Sequence, residues 1–288
     1  MGVPEICSQI SLLKAASGKS GMTRHLLIIG DALKVLQDSK YFPAESVNLV
    51  VTSPPYGLGK DYGGSFDDNF ELPSWVTMLE RMGTQIYRVL KPDGSFYLNV
   101  SPVPKRVTKE IIPMDSYAYF ALKKCGFYLR NKVIWHFNNM QNCTRRLSGR
   151  WEAILWFVKN LDNYVFNLDA VRVPYLTNDK RISGFGRNPT DVWYFNRVNN
   201  VTKKKLGLTH PCIYPEPMIE RIIKMSSNPA DMVLDPFVGS GTTMKVAKVL
   251  NRNSIGIEIN RRFKQMIKSR MGEDGESTLE VVEYDKRR

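Results

Sequence analysis

A glycine-rich segment between two short apolar runs most strongly constrains the fold of this chain. Residues 232–234 are followed by Asp235-Pro236-Phe237-Val238-Gly239-Ser240-Gly241, then by a helical pattern through Leu250. A second apolar run follows at 254–257 and ends at Glu258. Short strands that flank a helix indicate a βαβ unit, and such units build parallel sheets covered by helices on both faces. The sequence therefore predicts an α/β fold.

The glycines and the acidic residue of this unit indicate a ligand site. Gly239 and Gly241 allow the backbone to approach a ligand closely at the N-terminus of a helix, which Thr242 and Thr243 are expected to cap. Glu258 is placed to accept hydrogen bonds from ribose hydroxyls. The third glycine of the dinucleotide pattern Gly-x-Gly-x-x-Gly is missing, so a nucleoside without a pyrophosphate is the better interpretation.

A second constraint is the apolar run 47–51, which continues into Thr52 and Ser53-Pro54-Pro55-Tyr56. The prolines stop the strand, because each fixes φ and neither can donate a hydrogen bond to a ladder. The predicted result is a stiff turn that presents a hydroxyl group, two carbonyl groups and an aromatic ring at the carboxyl end of a buried strand, where open α/β sheets bind ligands. If this motif is considered alone, an ordinary turn that ends a strand explains it as well as a ligand site does. The presence of the glycine loop in the same chain favours the ligand site.

The rest of the chain continues the alternation of strands and helices. The turn motif Lys91-Pro92-Asp93-Gly94 precedes a strand. Residues 57–69, rich in Gly, Asp and aromatic side chains, predict a mobile loop beside the site, which is a candidate lid. Further strands are predicted at 26–29, 95–100, 127–137, 152–158 and 279–282, and helices at 32–36, 75–90, 117–124, 218–225 and 261–270.

The charge balance points to an anionic partner. The chain has 41 Lys and Arg against 28 Asp and Glu, a net charge of +13, which favours nucleic acid first and a membrane surface second. Residues 159–208 interleave basic and aromatic residues without a sustained period, as suits phosphate contacts and base stacking in an inserted segment. A solvated face with a few anchoring aromatics is the alternative interpretation of this segment.

Several classes of protein are disfavoured. The four cysteines and three histidines are scattered, which argues against a disulfide framework and against a metal site. No apolar run reaches the length of a membrane span, and the N-terminus has no signal-peptide core. We expect an intracellular, soluble protein in which residues 1–22 form a poorly ordered extension.

Two motifs together resemble a known family. Ser53-Pro54-Pro55-Tyr56 resembles the catalytic tetrad of DNA amino-methyltransferases, and Asp235-Pro236-Phe237-Val238-Gly239-Ser240-Gly241 resembles their S-adenosylmethionine loop. The catalytic motif precedes the cofactor loop, as in the permuted β class of that family. The resemblance covers roughly residues 24–270, with further similar stretches at 87–94, 152–159, 188–193 and 210–217.

The resemblance implies a fold and a division of the chain. The fold would be the Rossmann-like fold of S-adenosylmethionine-dependent methyltransferases, with a mixed, mainly parallel seven-stranded sheet in circularly permuted motif order. Strand 26–29 would then lie next to strand 254–257. The implied segments are an N-terminal extension at 1–22, a catalytic part at 23–158, a target-recognition insert at 159–208, a cofactor-binding part at 209–271 and a charged tail at 272–288.

The resemblance also implies site residues. S-adenosyl-L-methionine would be the cofactor, and no metal is expected. Asp31 would meet the adenine amino group and His210 would flank the methionine end. The implied catalytic residues are Ser53, Pro54, Pro55 and Tyr56, and the implied cofactor-binding residues are Asp31, His210, Asp235, Pro236, Phe237, Gly239, Ser240, Gly241, Thr242 and Glu258.

The expected reaction is direct methyl transfer to an amine. Ser53 Oγ and the Pro54 carbonyl would accept hydrogen bonds from the exocyclic amine of a flipped base, and Tyr56 would stack on that base. In the family, Ser at the first tetrad position favours N4 of cytosine, and N6 of adenine is the alternative. Cys212, a candidate nucleophile for methylation at cytosine carbon, precedes a helix and does not follow the catalytic strand, so we interpret it as a packing residue.

The resemblance implies partners as well. Double-stranded DNA is the expected substrate, with a cognate restriction endonuclease and a second copy of the chain as further partners, and no membrane. The protein is then expected in the cytoplasm, at the nucleoid. An RNA methyltransferase and a non-catalytic DNA-binding module are the alternatives on the same fold, and the intact tetrad argues against the second.

Overall fold

One large β-sheet organises the chain. The structure, a computed structural model, describes residues 22–39, 41–57, 68–69, 71–105, 108–138, 142–175, 186–272 and 275–284. Its strands are β1 (Thr23–Ile29), β2 (Val47–Thr52), β3 (Leu90–Val100), β4 (Val103–Pro104), β5 (Ile111–Ile112), β6 (Tyr128–His136), β7 (Trp151–Val158), β8 (Val192–Tyr194), β9 (Met232–Asp235), β10 (Asn253–Glu258) and β11 (Ser277–Glu283).

The sheet is mixed and mainly parallel, as predicted. Within the described residues its order is β11-β1-β10-β9-β2-β3-β7-β6-β8, and β4 and β5 form a separate pair. Among the described strands of the large sheet, only β7 runs antiparallel to its neighbours. The seven expected strands are the run from β1 to β6 in this order. The sheet is larger than predicted, because β11 adds to β1 and β8 adds to β6, each in parallel.

The permuted order of the chain is confirmed by the pairing of β1. This strand lies parallel to β10, with His25 opposite Ser254 and Ile29 opposite Glu258. The His25 Nδ1 atom lies 2.8 Å from Ser254 Oγ in a buried hydrogen bond. The two ends of the described chain therefore build one half of the same sheet.

Helices cover both faces of the sheet. They are α1 (Ala32–Gln37), α2 (Leu72–Val89), α3 (Met114–Lys124), α4 (Asn200–Lys205), α5 (Glu216–Ser226), α6 (Thr242–Val249) and α7 (Lys264–Met271). Along β2, Val50 packs with α1, α2 and α3, whereas Leu49 and Val51 pack with α5 and α6. Successive side chains of a strand point to opposite faces, so strands with both sets buried form the middle of a three-layer α/β/α structure.

Helix α2 illustrates how the sequence specifies this layering. Its buried residues recur every three or four positions and form one apolar stripe against the sheet. Gly83 lies where α2 crosses α3, and an added Cβ there would come within 2.5 Å of Leu122 Cδ2. The stripe consists of Trp75, Leu79, Met82, Gly83, Ile86 and Val89.

Three local predictions need correction or fall outside the described residues. The motif 91–94 does not end an element: it bulges out of β3, since Val47 pairs with Leu90 and Leu49 pairs with Ser95. Helix α3 begins at Met114, earlier than the predicted start at 117. The candidate lid is described only at Gly57, 68 and 69, so its predicted mobility stays a prediction.

The segments predicted to be peripheral contribute to the sheet where they are described. The insert at 159–208 supplies β8 and α4, and its residues 176–185 lie outside the described part. The charged tail supplies β11, while of the N-terminal extension only Met22 is described. Across the described ranges, no helix combines the length and the apolar character that a bilayer span requires.

Candidate active site

A cavity of about 1030 Å³ opens at the carboxyl edge of the sheet. Its walls contain the residues that directly follow β1, β2, β9 and β10. Because β7 runs in the opposite direction, it is the beginning of that strand, at Glu152, that reaches the same edge. The volume is at the upper end of the roughly 300–1,000 Å³ typical of a site for one small molecule, so the cavity has room for two neighbouring ligands.

The Ser-Pro-Pro-Tyr turn forms one wall of this cavity. The Ser53 Oγ atom lies 2.5 Å from the Tyr56 hydroxyl oxygen. Behind the turn, the indole Nε1 of Trp75, on α2, donates to the Pro55 carbonyl at 2.8 Å. The helix thus anchors the rigid backbone of the turn and keeps the Ser53 hydroxyl at the cavity surface.

A chain of polar groups continues from Tyr56 into the sheet. The Asn99 Nδ2 atom, near the end of β3, donates to the Tyr56 hydroxyl at 3.0 Å and to Glu152 Oε2 at 2.7 Å. Arg197 Nη2 in turn donates to Glu152 Oε1 at 3.2 Å. Burial, and next the charge of Glu152, raise the pKa of Tyr56 well above its usual range, so this phenol keeps its proton.

Asp235 links the two principal motifs from below the cavity. Its Oδ1 atom accepts from Thr52 Oγ1 at 2.7 Å, and its Oδ2 atom accepts from Thr243 Oγ1 at 2.6 Å. The backbone N–H of Phe237 also donates to Oδ1, at 3.1 Å. Burial raises the pKa of Asp235 to about 6, against the opposing effect of these hydrogen bonds. The carboxylate therefore joins the end of β2 to the start of the glycine loop and does not line the cavity.

The glycine loop is held against Glu258. The backbone N–H of Gly239 donates to Glu258 Oε2 at 3.0 Å, and that of Asn260 donates to Oε1 at 2.8 Å. Gly239 and Gly241 have φ values of +50° and +79°, which favour glycine. Burial raises the pKa of Glu258 to about 7, although both backbone hydrogen bonds act in the opposite direction.

Arg270 supports the loop from the opposite side. Its Nη1 atom donates to the Ser240 carbonyl at 3.0 Å, and to Ser240 Oγ and Thr242 Oγ1 at 2.9 Å each. Its Nη2 atom donates to Glu216 Oε1 at 2.7 Å. Thr242 and Thr243 do not cap α6, contrary to the prediction: Gly241 is the N-cap residue and has no side chain to offer, while the two hydroxyls bind Arg270 and Asp235.

The segment that precedes α5 closes the cavity between the two motifs. The His210 ring packs edge-on against Phe263, with centroids 4.7 Å apart, and an added Cβ on Gly239 would lie 2.7 Å from its Cε1 atom. Cys212, which we interpreted as a packing residue, lies in the cavity wall beside His210 and Tyr214. Burial raises the pKa of the Tyr214 phenol well above its usual range.

Asp31 occupies the cavity wall above β1. Its Oδ1 atom accepts from the backbone N–H groups of Leu33 and Lys34, at 2.9 and 3.1 Å, so it caps α1. The backbone N–H of Gly30 donates to the Glu258 carbonyl at 2.9 Å. The ends of β1 and β10 thereby meet at one side of the cavity.

The structure brings most of the predicted site residues together. Asp235, Gly241 and Thr242 lie behind the wall and support it. Within the described residues, no group of three or more His, Cys, Asp or Glu side chains is arranged to hold a metal ion. The predicted residues that line the cavity are Asp31, Ser53, Pro54, Pro55, Tyr56, His210, Pro236, Phe237, Gly239, Ser240 and Glu258.

Sequence reasoning missed several polar groups of the same cavity. Asn99 follows an apolar strand, in the same way as Glu258 does, and this position was a usable signal. Glu152 precedes an apolar run, but its place at the cavity depends on the reversed direction of β7. The residues of the wall that were not predicted also include Trp75, Arg197 and Tyr214.

The arrangement separates two kinds of chemistry. At one end, the buried carboxylate of Glu258 and the glycine backbone suit a nucleoside with free ribose hydroxyls. At the other end, the Ser53 hydroxyl, the Pro54 carbonyl and the Tyr56 ring suit a planar, polar group of the size of a nucleobase. The cavity can thus hold a nucleoside cofactor next to a second, planar substrate.

Comparison with known proteins identifies relatives. Residues 47–269 match the N6/N4 methyltransferase family model, described as DNA methylase. The type II methyltransferase M.HpaI of Haemophilus parainfluenzae is 38% identical over 246 residues, which cover 85% of this chain and 73% of that protein. The DNA adenine methyltransferase YhdJ of Escherichia coli (strain K12) is 34% identical over 252 residues, which cover 83% of this chain and 80% of that protein.

Solved structures show the same fold. The PvuII DNA methyltransferase (cytosine-N4-specific) superposes with a TM-score of 0.69 at 23% identity. The superposition covers 90% of this chain and 91% of the PvuII enzyme. The protein TTHA0409 from Thermus thermophilus, solved in complex with S-adenosyl-L-methionine, has a TM-score of 0.64 at 26% identity. That comparison covers 91% of this chain and 99% of that chain.

Proposed function

The chain belongs to the N6/N4 family of DNA methylases, and on that premise we propose that it methylates the exocyclic N4 amine of a flipped cytosine in duplex DNA. The observation that carries this proposal is the Ser53–Tyr56 hydroxyl pair, 2.5 Å apart, in the wall of the same cavity as the glycine loop and Glu258. S-adenosyl-L-methionine supplies an electrophilic methyl group when it is bound.

The residues of the cavity fit this cofactor. Glu258 presents a buried carboxylate that can accept from ribose hydroxyls, and Gly239 leaves the space next to His210 that a Cβ would fill. Asp31 caps α1 with one oxygen and lines the same cavity, which supports its proposed contact with the adenine amino group. Their positions in the wall of one cavity support these roles.

The acceptor end of the cavity determines how the amine is held. Ser53 Oγ and the Pro54 carbonyl accept hydrogen bonds from the amine, which directs its lone pair away from the base plane and towards the methyl donor. Tyr56 stacks on the base, which is worth about 1–3 kcal/mol. Catalysis then comes mainly from orientation of the two reactants.

The choice of cytosine rests on Ser53 at the first position of the tetrad. Adenine N6 is the second candidate, because a relative of 34% identity carries the name DNA adenine methyltransferase. Mass spectrometry of nucleosides from DNA methylated by the protein separates the two. We expect N4-methylcytosine, and N6-methyladenine would overturn the assignment of cytosine while leaving the methyltransferase activity in place.

The proposed substrate also defines partners. Relatives named type II methyltransferases support a cognate restriction endonuclease as a partner of this chain in the cell, and the protein would act in the cytoplasm, at the nucleoid. Duplex DNA should compete as a methyl acceptor far better than RNA of the same sequence. A preference for RNA would instead support the RNA methyltransferase alternative.

The affinity for S-adenosyl-L-methionine should depend on pH through Glu258. Burial raises the pKa of this carboxyl to about 7, and the charge of Asp235 acts in the same direction. Ribose hydroxyls donate to the ionised form, so the proton bound at low pH must be released for binding. The Kd should therefore decrease about tenfold as the pH rises from about 6 to about 8.

Isothermal titration across this pH range measures the effect. The variant Glu258→Gln should bind more weakly and without the pH dependence, because its amide does not titrate. The exposed Glu110, which pairs with Lys105, offers the matched control Glu110→Gln. A wild-type Kd that does not change with pH would contradict the proposed role of Glu258.

Base flipping is expected to depend on Leu147. This residue is 93% exposed. In sequence it lies between the exposed Arg145 and Arg146 on one side and the half-buried Arg150 on the other. Its loop joins β6 to β7, and Asn138 and Glu152 at the two bases of that loop line the cavity. Apolar side chains inserted between base steps are a common means of unstacking DNA.

Shortening this side chain should impair flipping more than chemistry. We expect Leu147→Ala to lower kcat/KM about tenfold on a matched duplex, and less than about twofold on a duplex whose target base is mispaired, because a mispaired base costs less to extrude. Leu147→Met is the matched control. An equal loss on both duplexes would show that Leu147 does not act in flipping.

A further inference from the structure

A continuous hydrogen-bond chain runs from the Ser53 hydroxyl to a buried carboxylate outside the tetrad. Ser53 Oγ lies 2.5 Å from the Tyr56 hydroxyl, which lies 3.0 Å from Asn99 Nδ2. The same Nδ2 atom lies 2.7 Å from Glu152 Oε2. Asn99 and Glu152 are 5% and 6% exposed, so water competes little for these hydrogen bonds.

Glu152 determines which way the Asn99 amide faces. An ionised carboxylate only accepts hydrogen bonds, so the amide must present its NH₂ group to Glu152. The reverse orientation would place two oxygen atoms 2.7 Å apart. The observed orientation leaves Asn99 Oδ1 buried and without a hydrogen-bond partner among the described residues, which is a cost that the charge-assisted bond to Glu152 offsets.

The orientation of the amide makes the Tyr56 hydroxyl an acceptor, and the backbone carbonyl of Asn99 offers a partner for the Tyr56 hydrogen. The second N–H of Asn99 donates to the Tyr56 hydroxyl, and that hydroxyl donates its own hydrogen to the backbone carbonyl of Asn99 at 3.1 Å. In the arrangement in which the Tyr56 hydrogen points to this carbonyl, Tyr56 can only accept from Ser53. Ser53 then donates to Tyr56, and its oxygen lone pairs are left for the Tyr214 hydroxyl, which lies close to Ser53, and for a donor in the cavity.

We propose that Asn99 and Glu152 are positioning residues for methyl transfer, which hold the Ser53 and Tyr56 hydroxyls so that Ser53 Oγ meets the target amine as an acceptor. An amine offers N–H groups, so a serine that pointed its own hydrogen into the cavity would repel it. This inference rests on the proposed function. It assigns a role in the reaction to a carboxylate that acts through Asn99 and Tyr56.

The hydrogen bonds from Ser53 to Glu152 do not carry a proton away from the amine. An amide nitrogen such as Asn99 Nδ2 has no acceptor site, so a proton cannot pass through it from Tyr56 to Glu152. Arg197 Nη2, 3.2 Å from Glu152 Oε1, pairs with the other oxygen of the carboxylate. The role of Glu152 is thus to maintain an arrangement of donors and acceptors, and its loss should lower kcat with little effect on KM.

A double-mutant cycle between Glu152 and Tyr56 tests the proposal. The change Glu152→Gln preserves shape but lets the Asn99 amide turn over, and Tyr56→Phe keeps the stacking ring but removes the hydroxyl. Each variant alone should lower kcat about 10- to 30-fold, and the double variant should be no more than about twofold worse than the poorer single variant, because both changes disrupt one chain.

Several measurements separate positioning from damage to the fold. The Kd values for S-adenosyl-L-methionine and DNA, and the melting temperature of Glu152→Gln, should match those of the control Glu110→Gln, which alters an exposed ion pair. Multiplicative losses in the double variant, or an unchanged kcat in Glu152→Gln, would overturn the proposal. A wild-type protein that methylates no DNA would overturn the proposed function and this inference with it.

Discussion

Replacing Ser53 with alanine should lower kcat for methyl transfer by about 10²- to 10³-fold, the usual cost of losing one preorganised hydrogen-bonding group at a reacting centre. Ser53 directly follows β2 and bonds to the Tyr56 hydroxyl, so the variant removes the proposed acceptor of the target amine without opening the core. Its Kd for S-adenosyl-L-methionine should be unchanged, because Glu258 and the glycine loop are untouched. Single-turnover kinetics with saturating cofactor and DNA measure the effect.

Ser101→Ala is the matched control for this variant. Ser101 follows the neighbouring strand β3, is half-buried, and donates to the Pro102 carbonyl at 3.3 Å, outside the cavity wall. Its removal should leave kcat within about twofold of wild type, as is usual for a change away from buried networks. If Ser53→Ala kept more than about a tenth of the wild-type kcat, Ser53 would not be the main acceptor for the amine.

Replacing Gly239 with alanine should nearly abolish binding of S-adenosyl-L-methionine. The added Cβ would lie 2.7 Å from Cε1 and 2.8 Å from Nε2 of His210, at a φ of +50°. The loop or the His210 ring must move to remove this clash. If the loop moves, the backbone N–H of Gly239 loses its 3.0 Å hydrogen bond to Glu258 Oε2. We expect the Kd to rise about 100-fold, which corresponds to a loss of about 3 kcal/mol; isothermal titration measures it.

Gly207→Ala separates the clash from backbone strain. Gly207 also has a positive φ, +64°, but an added Cβ there meets nothing within 4 Å. This control carries the strain of the left-handed conformation, about 1–2 kcal/mol, without contact to the cofactor site, and its Kd should equal that of wild type. Unchanged binding in Gly239→Ala would show that the cofactor does not approach the loop at this point.

Local pattern was sufficient to predict the elements on which the site is built. Val50 and its neighbours form β2 because β-branched residues buried on both faces favour a central parallel strand. The prolines after Ser53 end that strand, as predicted, because each fixes φ and neither can donate a hydrogen bond to a ladder. Glu258 could be placed because it immediately follows an apolar run, and parallel strands bring their carboxyl ends to one edge.

What could not be predicted depends on contacts between distant elements. Glu152 reaches the cavity because β7 runs against β3 and Glu152 pairs with Trp135 across β6, and no local pattern specifies strand direction. The sequence predicted that Thr243 caps a helix, but its hydroxyl donates to the buried Asp235 carboxylate at 2.6 Å. The strand β8 has only three residues, and its two exposed residues, Val192 and Tyr194, are hydrophobic like the buried Trp193, so its sequence carries no periodic signal.

The pairing of β1 has a consequence for synthesis. This strand leaves the ribosome long before its neighbours in the sheet, β10 and β11, and 229 residues separate His25 from its partner Ser254. Until those strands emerge, the apolar β1 has no edge to join, and an unpaired strand edge invites aggregation. Glu258 arrives equally late, so a nascent chain interrupted before β10 would have a complete Ser-Pro-Pro-Tyr turn but would lack the carboxylate that we propose holds the methyl donor. Under the proposed function, we therefore expect shortened translation products that lack this last part of the sheet to be inactive.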